Sequence, residues 1–271
     1  AIACAGRVID LIDETPMKKD PDNELVVKDG EGKIDLEDVC FSYDKSKELI
    51  KNFNLHVKPG ERVAIVGPTG CGKTTLINLL MHFYDIDSGS IKVDSVDINT
   101  VSRKSLRQNV GMVLQDTWLK SGTIKENIVF GNENVTDEQV IEAAKKSHAH
   151  SFIKKLHNGY DTFIGEDGGS LSTGQKQLIC ITRLMLNPPP ILILDEATSS
   201  IDLLTEQRIT RSFMKLMKDR TSFVVAHRLK TIVESDLILV MKDGKVIESG
   251  THKSLMEQNG FYKELYQSQF D

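Results

Sequence analysis

Gly67-Pro68-Thr69-Gly70-Cys71-Gly72-Lys73-Thr74 fits the pattern G-x-x-x-x-G-K-[ST], and its surroundings are those the pattern needs. Residues 62–66 read as a short apolar strand running straight into glycine, and residues 73–83 carry helical periodicity. The chemistry accounts for the residue types. Glycines let successive backbone N–H groups curl around a phosphate, and the N-terminus of the following helix adds positive potential. Lys73 can reach β- and γ-phosphates, and the Thr74 hydroxyl suits Mg²⁺. Gly67, Pro68, Thr69, Gly70, Cys71 and Gly72, followed by Lys73, Thr74 and Thr75, are the expected cradle of a nucleoside triphosphate. Cys71 carries a second expectation. It sits at a helix N-terminus near Lys73, a setting that raises thiol reactivity, so alkylation suppressed by the bound nucleotide is expected there.

Composition narrows the classes. The 271 residues carry 34 Lys and Arg against 39 Asp and Glu, a net charge of −5, which gives no electrostatic footprint for duplex nucleic acid. With 39% hydrophobic and 27% charged residues, the chain is neither disordered nor fibrous. Its four cysteines (Cys4, Cys40, Cys71, Cys180) lie far apart without a C-x-x-C pair, so zinc and a disulfide framework are not expected and a reducing compartment is. The apolar stretches at residues 76–81 and 191–194 fall well short of the ~18 residues that cross a bilayer.

Outward from the loop, the pattern changes by region. Residues 1–14 have helix-like apolar spacing (Val8, Ile9, Leu11, Ile12), and residues 15–32 have the prolines and charges of a connector. With Ala1 in place of a Met, this opening is expected to be the end of a preceding transmembrane-domain helix plus a linker. Ile34, Leu36, Cys40, Leu55 and Val57 alternate with polar residues as half-buried antiparallel strands do. Strands are also expected at residues 90–93 and 110–114. Val140, Ile141 and Ala144, then Phe152, Ile153 and Leu156, suit amphipathic helices, with Thr136 and Gln139 placed to form a capping box. Residues 191–194 and 222–226 read as buried parallel strands, and Asp243-Gly244 as the turn of a hairpin. Strands alternating with helices make the expected class α/β.

A second chemical site follows from Ile191-Leu192-Ile193-Leu194-Asp195-Glu196. An apolar strand ending in two carboxylates puts Asp195 at the carboxyl edge of a parallel sheet, where it can hold Mg²⁺. Glu196, one residue on, is placed to polarise an attacking water as general base. Leu171-Ser172-Thr173-Gly174-Gln175 lies 20 residues before that strand and opens an apolar helix. It resembles the LSGGQ signature of ATP-binding cassette (ABC) ATPases, with Thr173 in place of the first glycine. Further landmarks stand in the family's order: Tyr43 after Phe41-Ser42, Gln115 after Val113-Leu114, Asp202 after Ser200-Ile201, and His227 after Val224-Val225-Ala226.

The resemblance covers residue 34 to about 269 and implies a residue-by-residue assignment. Tyr43 would stack on adenine, and Gln115 would be the Q-loop residue, touching nucleotide and metal. Ser172, Gly174 and Gln175 would face a partner's ATP, with Asp202 in the D-loop. Lys73, Glu196, His227 and Gln115 would carry catalysis, and Thr74, Gln115 and Asp195 the Mg²⁺. The implied fold is a parallel phosphate-loop NTPase (RecA-like) core with an antiparallel β subdomain and a helical subdomain at about residues 116–185, all within an ATPase domain spanning residues 33–271. Residues 118–128, the Gly165-Glu166-Asp167-Gly168-Gly169 run and residues 243–252 resemble exporter-type cassettes.

In that family two cassettes stack head to tail around ATP on the cytoplasmic side of a membrane, and the Gln115 and Glu166 regions pass the motion to membrane helices. The altered signature beside an intact Glu196 points to an asymmetric heterodimer, with a homodimer as the alternative. A soluble ABC protein acting on DNA or ribosomes would carry paired cassettes or basic extensions, and a GTPase would carry N/T-K-x-D. The chain has neither.

Overall fold

The computed structural model describes residues 6–9, 12–13, 17–27, 31–46, 49–114, 117–132, 134–169, 171–195, 201–225 and 229–270. The first elements are β1 (Ile34–Phe41), β2 (Ile50–Val57), β3 (Arg62–Val66), α1 (Lys73–Leu80), β4 (Ser88–Val93), β5 (Val96–Asp97), α2 (Arg103–Gln108) and β6 (Val110–Val113). Then come β7 (Gly122–Thr123), α3 (Ile124–Val129), α4 (Asp137–Lys146), α5 (His150–Ile153), β8 (Phe163–Ile164) and α6 (Thr173–Leu186). The last part holds β9 (Ile191–Asp195), α7 (Leu203–Met217), β10 (Thr221–Val225), α8 (Leu229–Val233), β11 (Leu237–Lys242), β12 (Lys245–Gly250), α9 (His252–Gln258) and α10 (Phe261–Phe270).

A six-stranded sheet runs β12-β11-β3-β10-β9-β6, parallel except for β12 at its edge. Both of its faces are buried, and this explains why β9 is apolar without alternation. Leu192 and Leu194 join one core cluster with Ala64, Val66 and Val224, while Ile191 and Ile193 join the other with Val63, Ile65 and Phe223. The first cluster lies under α6 and α7 and the second under α1 and the four-stranded sheet β2-β1-β4-β5. The architecture is the α/β one expected, a parallel core with an antiparallel sheet and helices.

Two local expectations hold in detail. Thr136 caps α4, its hydroxyl accepting from the Gln139 N–H while the Gln139 side chain accepts from Thr136 N–H at 2.8 Å. Asp243 and Gly244, at φ 48° and 73°, turn β11 into β12.

Two others change. Strict alternation would bury Cys40 with Leu36, but a bulge at Asp38 (φ 47°) rephases β1. The bulge is held by the Asn54 side chain, which accepts from Asp38 N–H at 2.9 Å and donates to the Asp38 carboxylate at 3.0 Å. Val39 and Phe41 therefore enter the core, and Cys40 is only half-buried.

Residues 17–27 of the connector pack against the domain. Leu25 is buried, and the Ser105 hydroxyl accepts its N–H at 2.6 Å and donates to its carbonyl at 3.0 Å. The Arg103 guanidinium bonds both Asp20 and Asp85. Burial alone would raise the Asp20 carboxyl, but the hydrogen bonds and charge of Arg103 outweigh it and leave it below the usual range.

Candidate nucleotide site

The loop between β3 and α1 has the backbone of a phosphate cradle. Gly67, Gly70 and Gly72 take φ of 152°, 79° and 106°. At Gly67 a Cβ would strike the Met241 carbonyl, so the close approach of β11 requires glycine there. Gly72 is the N-cap of α1 and supplies no side-chain cap. The first N–H groups of that helix, which have no intrahelical acceptor, are thus left for a ligand. The Lys73 ammonium lies across the loop, donating to the Gly67 and Pro68 carbonyls at 2.8 and 2.9 Å. Thr74 is exposed and Thr75 buried.

Cys71 departs from expectation. It is 3% exposed and packs into the core beneath the loop, its carbonyl accepting the Gly244 N–H at 3.0 Å. The loop geometry that was expected to activate this thiol instead covers it. Maleimide labelling of the native chain is therefore expected to reach Cys40 well before Cys71, whether or not Mg-ATP is present. Peptide mass spectrometry showing fast, ATP-suppressed modification of Cys71 would overturn this.

The sheet brings the remaining strand ends to the same edge. Asp195 pairs in register with Val225, which pairs with Ile65, one residue before Val66. Asp195 is thus separated from the loop-bearing strand by β10, a spacing of about 10 Å at two strand widths. Val113 of β6 lies opposite Leu194. The strands that precede residues 115, 195–196 and 227 in sequence therefore end side by side. Gln115, Glu196 and His227 themselves lie outside the described residues, as do residues 116 and 197–200.

The signature opens α6. The Ser172 hydroxyl accepts from Gln175 N–H, and the Gln175 side-chain oxygen accepts from Ser172 N–H at 3.0 Å, a closed capping box. Ser172 and Thr173 are exposed, while Gly174 is buried. A Cβ on Gly174 would meet Thr205 Cγ2 at 2.5 Å and Ile201 Cγ2 at 3.0 Å, so this glycine lets α7 start hard against α6. Asp202 caps α7, accepting the Thr205 N–H at 2.9 Å, and the bonds from Thr205 hold its carboxyl below the usual range. The signature helix and the start of α7 at Asp202 are thus one packed unit.

Tyr43 is exposed beyond the end of β1, and Glu166 is exposed in a 3₁₀ turn, Glu166–Gly168. Sequence reasoning missed Phe130 and Arg183. Trp118 packs edge-on against Phe130 at 6.1 Å, and the Arg183 guanidinium lies 5.1 Å over the Phe130 ring. No residue type or spacing advertises this corner; it exists because α3 and α6 pack together.

The sequence model of the ABC transporter family matches residues 50–199. The chain is 49% identical over 264 residues, 97% of its length, to a fatty acid ABC transporter ATP-binding/permease protein of Mycobacterium bovis. It is 48% identical over all 271 residues to an uncharacterized ABC transporter ATP-binding protein, YfiC, of Bacillus subtilis. The fold matches the structure of a bacterial Atm1-family ABC exporter with ATP bound at TM-score 0.86 and 39% identity over 100% of the chain. The chain belongs to the ABC transporter family and is an ATP-binding domain of the kind found in its exporters. It spans 42% and 45% of those relatives' own lengths and 47% of the exporter chain. Among the described residues no helix is long and apolar enough to cross a membrane.

Proposed function

We propose that this chain is the ATP-hydrolysing cassette of a membrane exporter, working on the cytoplasmic face as one of two head-to-tail cassettes that share ATP at their interface. The supporting observation is the glycine-lined loop opening onto an uncapped helix at the same sheet edge as Asp195. The loop amides and Lys73 would hold the β- and γ-phosphates, and Tyr43 the base. The exposed Thr74 hydroxyl and the Asp195 carboxylate form a hard-oxygen pair that fits Mg²⁺, with Gln115 as a further candidate ligand. Bound there, the ion would neutralise charge on the phosphates. Glu196 would take the proton of the attacking water, and His227 would hold the γ-phosphate side of the site. Ser172, Gly174, Gln175 and Asp202 would meet the partner's nucleotide, and the Gln115 and Glu166 regions would meet the membrane domain.

Lys73→Ala tests this reading. Removing the ammonium is expected to weaken Mg-ATP binding at least ~10-fold by calorimetry, the loss of one charge-assisted contact of ~1.5–3 kcal/mol. Unchanged affinity would remove the loop from the nucleotide site.

The exposed Thr173 supports the asymmetric form of the pair. Its β-branched side chain stands where glycine would let a partner's phosphate approach closely, so the competent signature belongs to a different, partner cassette. A purified homodimer of the full-length transporter hydrolysing at both sites would refute the heterodimer.

A further inference from the structure

Tyr43 is held from three directions. Its ring meets Phe41 at 4.8 Å and Tyr84 at 4.9 Å, both edge-to-face with interplanar angles of 85° and 86°. Phe41 and Tyr84 close the group at 5.7 Å. Phe41 is 3% exposed and rooted in the core, whereas Tyr43 and Tyr84 remain 53% and 45% exposed. The third hold is polar, because the Asn78 side-chain amide donates to the Tyr43 hydroxyl at 3.3 Å. Asn78 belongs to α1, four residues after Thr74. It therefore lies on the same helix face as Thr74, ~6 Å further along the axis. The helix whose N-terminus is left open for phosphate also fixes the ring about one turn away.

We propose that Asn78 and Tyr84 are positioning residues for the base of the bound nucleotide, fixing the Tyr43 ring before the base arrives. The inference rests on Tyr43 being the base platform. An exposed side chain that freezes only on binding gives back part of its stacking energy as lost rotamer freedom, and a ring already held gives back less. The edge contacts from Phe41 and Tyr84 use the positive rims and negative faces of the rings. The Asn78 bond adds a direction that ring packing alone does not set. Because this bond comes from α1, the platform is referenced to the phosphate cradle and not only to the antiparallel sheet. A cluster that merely stabilised the end of β1 would have no such bias toward one ligand.

The test uses the 271-residue chain and two probes, Mg-ATP and Mg-tripolyphosphate, the second of which has phosphates and no base. Asn78→Ala and Tyr84→Leu are each expected to weaken Mg-ATP binding about two- to tenfold, the size of one ring pair or one neutral hydrogen bond. Tripolyphosphate binding should not move, and Tyr84→Phe should retain ATP affinity because the ring edge remains. In a Tyr43→Phe background, which lacks the hydroxyl, Asn78→Ala should cost nothing further. Equal weakening of both probes would overturn the proposal in favour of general damage to α1, and so would unchanged ATP affinity in Asn78→Ala and Tyr84→Leu. A wild-type chain whose ATP affinity is indifferent to Tyr43→Ala would instead overturn the base-platform reading itself, and the proposal with it.

Discussion

Glu196→Gln is expected to bind Mg-ATP with wild-type affinity and to hydrolyse it about 10²–10⁴-fold more slowly, the usual worth of a positioned general base. The argument starts at the sheet. β9 lies between β10 and β6, and its last residue, Asp195, stands at the carboxyl edge toward which β3 delivers the phosphate loop. In doubly wound sheets ligands bind outside that edge. Glu196 is the next residue in the chain. The amide of glutamine keeps the size and the hydrogen-bonding reach of the side chain but cannot accept a proton at neutral pH. Binding, which the proposed site assigns to the loop amides, Lys73 and Thr74, should therefore survive while the chemical step fails. Single-turnover hydrolysis by the assembled transporter separates the two. A rate within about threefold of wild type would mean that the proton goes elsewhere.

The parts of this molecule that were legible in its sequence are those written in one contiguous segment. The phosphate loop, the Thr136 and Gln139 capping box and the Asp243-Gly244 hairpin each depend on residues within a few positions of one another, and each stands where expected. The apolar β9 was legible for a different reason, since burial on both faces leaves no polar positions in the strand. Long-range packing was not. Nothing near Cys40 in sequence reports that Asn54 stabilises a bulge two residues before it. Nothing in the connector composition reports that Leu25 and Asp20 have partners about 80 residues on, at Ser105 and Arg103. The same blindness hid the burial of Cys71, the insertion of β10 between β3 and β9, and the bond from Asn78 to Tyr43. Gly174 is the instructive case. The family motif marks it as a residue facing nucleotide, whereas in this fold its missing side chain also makes room for Thr205 and Ile201.

Gly244→Ala is expected to cost far more stability than a glycine substitution in an exposed turn, and to weaken nucleotide binding as well. Gly244 has φ 73°, a conformation that costs an L-residue ~1–2 kcal/mol. A Cβ there would also fall on the Leu49 carbonyl oxygen, and backbone cannot swing aside as the end of a long side chain can. The collision links three parts of the fold, because Gly244 also donates its N–H to the Cys71 carbonyl inside the phosphate loop at 3.0 Å. Relief requires the hairpin tip to withdraw from Leu49, from the loop, or from both. Gly131 supplies the control. Its φ of 82° carries the same backbone penalty, but nothing lies within 4 Å of an added Cβ. Gly131→Ala should therefore cost only ~1–2 kcal/mol, and Gly244→Ala at least ~3 kcal/mol, as substitutions at an incompatible site with added strain do. At ~2–4 °C per kcal/mol for a domain of this size, Tm should fall roughly 6–12 °C or more, against about 2–8 °C for the control. Calorimetric ATP titration at low temperature, where both variants are folded, should then show weakened binding for Gly244→Ala alone. If the two substitutions lower Tm equally and leave ATP affinity alike, the hairpin tip does not support the loop.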